Sequence, residues 1–103
     1  MKNGAADSHA RIEREIVKEK AVTLGRAGER LEAALAAVGA LAAAWHAAAG
    51  NAAERRRLAA EYERAWRAAE TARLTLVIQR EAVGARHHRD VDQQFPPPPR
   101  RLG

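Results

Sequence analysis

The sequence predicts an all-α protein: a long antiparallel two-helix hairpin, over about residues 8–49 and 52–83, that dimerises into a four-helix bundle. Three observations predict it. The composition is dominated by strong helix formers, with 26 alanines and with 15 arginines among the 18 basic residues. Apolar residues recur at alternating spacings of three and four on both sides of a single Gly-Asn break, Gly50-Asn51. Strand-forming residues never alternate for more than a few positions, and only four aromatics are present (Trp45, Tyr62, Trp66 and Phe95).

The first helix is expected to start at Asp7 or Ser8, whose side chains accept N–H groups of a first turn. Residues 1–7 are expected to be a disordered N-terminus. Val17, Ala21, Leu24, Gly28, Leu31, Leu35, Val38, Ala42 and Trp45 then form a seam at heptad spacing. Ile12 and Ile16 sit off it and widen the apolar face near the start. Gly28, small and on the seam, suggests close approach of another helix.

At "AAAGNAAERRRL", Gly50 suits the residue that ends a helix and Asn51 the next N-cap. Glu54, three residues on, completes a variant of the capping box. So short a turn folds the second helix back against the first. The second seam is Leu58, Tyr62, Ala65, Ala69, Ala72, Leu76, Gln79 and Val83, and Gly84 stops it. Residues 8–84 thus form a hairpin domain. Residues 85–103 form an extended, proline-rich tail with room for one short helical turn, Val91 and Phe95 on one side of it. Phe95 is expected to pin this tail to the helices.

Two thin alanine-rich helices bury little apolar surface, and small domains are marginal even when compact. The larger apolar residues also exceed one seam: Trp66 lies beside it, and Leu74 to Ile78 put bulky groups nearly all round the helix. Self-association into a homodimer satisfies both facts. The expected interface is Leu31, Leu35, Val38, Trp45, Leu58, Tyr62, Trp66, Leu74, Leu76, Val77 and Ile78. The ring at Leu74 to Ile78 is also where a different protein partner would bind.

Glu15-x4-Lys20-Ala21-x2-Leu24-Gly25-Arg26 early in the chain, and Gln79-Arg80-Glu81-Ala82-x-Gly84 late, carry a resemblance. With a tail that holds an aromatic, prolines and a final glycine, the chain resembles a family of small uncharacterised bacterial helical proteins. The resemblance covers about two-thirds of the chain. It implies a natural helical domain and carries no activity. The double histidine after Gly84 departs from the pattern.

The chemical motifs are weak. His88-Arg89-Asp90 spells a protein-kinase tripeptide, but the lysine, the Asp-Phe-Gly acid and the glycine-rich loop are missing. Adjacent His87 and His88 point apart on a helix, whereas helical metal ligands sit three or four residues apart. A helix-end role in the dipole field suits them better. No catalytic residue, metal site or cofactor is predicted.

Arg55-Arg56-Arg57 is the candidate anion contact. It lies in the first turns of a helix, where positive charge opposes the dipole. With a formal charge of +5, it supports the competing function, a small basic nucleic-acid-associated protein. Acids and bases are mixed along both helices, however, and no element for reading bases is visible. The uncharged run Ala33 to Ala53 is too alanine-rich for a membrane span. Pro96, Pro99 and Arg101 match a proline-rich ligand spacing. No cysteine and no apolar leader are present, so a cytoplasmic location is expected. The expected function is a non-enzymatic interaction or assembly module.

Overall fold

The computed structural model describes residues 4–103 and holds three helices: α1 (Gly4–Ala47), α2 (Ala52–Ala82) and α3 (Arg89–Gln94). Helices α1 and α2 pack antiparallel along most of the length of α2. The molecule is a rod with extents of 80 × 22 × 15 Å and a radius of gyration of 20.2 Å. A compact chain of about this length has a radius near 13 Å.

Helix α1 begins earlier than Asp7. Residues 4–7, expected to be disordered, continue the helix, because nothing in "GAADSHA" breaks it. Met1 to Asn3 lie outside the described residues.

The turn is built as its residues dictate. Gly50 takes a φ of +89°, a left-handed conformation that glycine adopts without strain. Asn51 caps α2: its Oδ1 accepts the Glu54 N–H at 3.1 Å. Only half of the expected capping box forms, since the Glu54 carboxylate turns to the Arg57 guanidinium and the Asn51 N–H bonds Ala48 O. Helix α2 ends in a complete Schellman motif. The N–H of Ala85 reaches Arg80 O at 2.9 Å and that of Gly84 reaches Glu81 O at 3.0 Å, with Gly84 at φ +101°.

The core lies along the helix–helix seam in two clusters. One joins Ala27, Leu31 and Leu76 to Val91 of α3, with Leu24, Leu35, Ala72 and Phe95 against it. The other joins Val38, Tyr62 and Ala69, with Trp66 and Leu102 against it. Gly28 does not mark a close approach of helices: a Cβ added there would meet nothing within 4 Å.

Both clusters include residues beyond Gly84. The tail is not a free extension but a strap, running back along the hairpin toward the turn. Val91 is buried and Phe95 half-buried on the first cluster, as their shared side of a short turn predicts. Arg73 and Arg80 on α2 form two-pronged ion pairs with Asp92 and Asp90 on α3, at 2.8–3.0 Å. Farther on, Leu102 packs on the second cluster, and Gly103 ends beside Trp45 (a Cβ there would be 3.8 Å from Trp45 Cη2).

Candidate functional site

Two surfaces stand out: an apolar arm that α2 does not cover, and a groove that the strap does cover.

The arm follows from unequal helix lengths. Val17 and Val83 line one shallow groove, which sets the open end of the hairpin. The part of α1 before Val17 runs past α2 for about 20 Å at 1.5 Å per residue. Its sequence still carries the core pattern. Ile16, Ala27 and Val38 are spaced by eleven residues, three helical turns, and so share one face. Ala27 and Val38 are 3% and 1% exposed, while Ile16, where the partner helix has ended, is 47% exposed. Ile12, one turn earlier, and Val17 on the seam are likewise open, at 57% and 66%. The early seam positions Val17 and Ala21 are therefore not core, contrary to the periodicity alone, because the end of α2 at Val83 only flanks them across an open groove. Formal charges on the arm and its root cancel: Asp7, Glu13, Glu15 and Glu19 against Arg11, Arg14, Lys18 and Lys20.

The expected interface residues divide into three sets. Leu31, Val38, Leu58, Tyr62 and Leu76 are buried inside this one chain. Leu35, Trp45, Trp66 and Val77 are half-buried. Leu74 and Ile78 are exposed, on the side of α2 away from α1. The apolar ring from Leu74 to Ile78 is thus partly core, through Leu76, and partly an isolated surface pair. Trp66 and Tyr62, the aromatics of α2 in the expected interface, are covered by the chain's own tail. Sequence spacing had no signal for that, since the tail has no helical period to align with a seam.

The groove under the strap is made by Tyr62, Glu63 and Trp66 of α2. The Trp66 indole donates from Nε1 to Pro98 O at 3.3 Å, and the Tyr62 hydroxyl donates to Pro99 O. Arg100 places its guanidinium 4.4 Å from the centre of the Trp66 ring and forms a two-pronged pair with Glu63 at 2.6 and 2.7 Å. The Arg100 guanidinium holds the Glu63 carboxyl below the usual carboxylate range, with Arg67 assisting. Burial pushes the Tyr62 phenol up. Asp92 and Asp90 are lowered by Arg73 and Arg80 in the same way.

The arginine triplet is mostly engaged. Arg55 stacks 3.7 Å from the Trp45 ring centre and donates to Trp45 O at 3.1 Å, so it caps the end of α1. Arg57 pairs with Glu54 and Glu61. Arg56 is exposed and makes neither kind of contact among the described residues.

His88 begins α3 instead of closing α2. Its Nε2 lies 3.4 Å from Glu81 Oε2 and its buried Nδ1 has no partner, while His87 is exposed. Asp90 of the kinase-like tripeptide is held by Arg80. Among the described residues no three His, Cys, Asp or Glu side chains gather into a metal-binding group, and no helix is long and apolar enough to cross a membrane. Comparison with family models, curated proteins and solved structures gives no match for this chain, and its function is read from its own residues.

Proposed function

We propose that the chain is a non-enzymatic helical assembly module that pairs with a second copy of itself through the arm of α1. The observation that carries this is Ile16: it continues the buried row of Ala27 and Val38 beyond the end of α2, with Ile12 and Val17 beside it, and all three are left exposed among the described residues. Water-exposed apolar rows of this kind are stabilised by packing against another helix. The cancelling charges of the arm favour an equally balanced helix over a polyanion. Two arms side by side, each continued by its own hairpin, bring four helix ends together, and the groove at Val17, Leu24 and Val83 receives the tip of the opposite arm.

Four of the acids support the non-enzymatic part. Glu54, Glu63, Asp90 and Asp92 have lowered pKa values, each through an arginine paired with it. Such groups are structural ion pairs, not bases poised near neutral pH.

Sedimentation equilibrium of the full chain tests the proposal. A dimer at micromolar concentration is expected, and Ile16→Glu is expected to convert it to monomer with helical circular dichroism kept. A wild-type monomer, or an Ile16→Glu variant that still dimerises, would remove the arm as the contact.

A further inference from the structure

The strap and its groove form a recognition site with a definable ligand. We propose that Tyr62, Glu63 and Trp66 are a binding site for an extended proline-rich segment followed by arginine, with the chain's own Pro96–Arg100 as resident occupant and a partner protein's segment of that chemistry as the ligand in trans. This inference uses different residues from the arm and stands without it.

The chemistry is in the contacts. Proline has no N–H, so a proline run makes no backbone ladder, and its carbonyls remain free to accept. The groove supplies donors at the right spacing. Trp66 and Tyr62, one turn apart on α2, meet the carbonyls of Pro98 and Pro99, adjacent in the tail. Arginine is then selected twice, by the Glu63 carboxylate across two hydrogen bonds and by the Trp66 ring beneath its plane. Upstream, an apolar recess lined by Leu31, Leu35, Trp66 and Ala69 receives the chain at Phe95 and Pro97. An aromatic floor, a pre-extended proline chain and a terminal salt bridge are the elements of polyproline recognition.

The proline segment is also separable from what precedes it. Helix α3 is fixed independently by Val91 and by the Arg73–Asp92 and Arg80–Asp90 pairs. Arg100 and Glu63 are about half-exposed, so a competing segment can reach them. In cis the tail has the advantage of an intramolecular ligand, an effective concentration on the order of millimolar. A ligand in trans therefore binds weakly until the resident segment is loosened.

A labelled peptide with the sequence of residues 96–103, PPPPRRLG, tests this on the full chain by fluorescence anisotropy. Arg100→Glu in the protein sets a second carboxylate against Glu63 and loosens the resident segment. The variant is expected to bind the peptide about ten-fold or more tighter than wild type, because more of the groove is open. Leu102→Asp, which weakens the strap at a different contact, is expected to do the same, so the result does not depend on one variant. Arg100→Glu in the peptide is expected to abolish binding to both variants, and Glu63→Arg in the protein to exchange the preference between the two peptides. Equal affinity of wild type and loosened variants, or equal affinity for the arginine and glutamate peptides, would overturn the assignment.

Discussion

At the scale of single residues, Leu31 is the side chain that most elements share. It is 2% exposed and meets α2 through Leu76 and α3 through Val91. Leu31→Ala removes methyl groups from a site walled by three elements, and is expected to cost about 2–4 kcal/mol. Urea unfolding checks it, since the midpoint should fall with the slope unchanged. Gly84 is a backbone case. Its φ of +101° lies where a Cβ is strained, although the space around it is open. Gly84→Ala is expected to destabilise by about 1–2 kcal/mol, read in the same experiment. Both positions were legible in the sequence, Leu31 from its seam and Gly84 from its place after the last periodic residue. His88 was not. Its contact with Glu81 depends on the chain reversing at Gly84 and on α3 starting immediately after, a tertiary event that neither histidine announces.

At the scale of elements, the strap is held by ion pairs as well as by packing. Glu63, Asp90 and Asp92 all have pKa values lowered by the arginine each one meets. A lowered folded value means the pairing stabilises fully at neutral pH and is lost as pH falls through that value. The window thus lies below the ordinary carboxylate range, under about pH 4. Acid titration is expected to release the strap before the helices melt. Trp66, which loses its cover, should report this as a change in tryptophan emission at a pH where helical circular dichroism is still intact. Simultaneous loss of both signals would mean the strap and hairpin are one cooperative unit. The helices and their turn were legible because local propensity and spacing agree there. The tail was legible as a short helical turn with Val91 and Phe95 on one side and Phe95 as the pin to the helices. The docking of its proline segment uses the carbonyls of Pro98 and Pro99, which have no side-chain signature at all.

At the scale of the whole molecule, the rod has one covered half and one open pole. The sequence shows a seam along all of α1, but coverage depends on how far α2 and the strap extend. The seam therefore overestimates the core at Val17 and Ala21, and the off-seam Ile12 and Ile16 become the open face. If arms pair between copies, protection of the arm depends on concentration. Trypsin is expected to cut first after Arg11 and Arg14 in dilute protein, and this cut should slow as concentration rises through the dimerisation range. Arg73 and Arg80, tied to Asp92 and Asp90, are expected to resist throughout. Mass spectrometry of timed digests reads both. A cut at Arg14 with a rate independent of concentration would argue for a free arm.

The direction of the strap has a mechanical consequence. It runs alongside α1 in the same sense, so Gly4 and Gly103 lie toward opposite poles of an 80 Å rod. Tension applied between those two residues pulls along the rod axis. The hydrogen bonds at Trp66 and Tyr62, the Arg100–Glu63 pair and the α3 clamps would then be loaded together in shear, not peeled one after another. A tether at Gly103 and one at the Gly50 turn would sit at the same pole and peel the same contacts one after another from the Gly103 end.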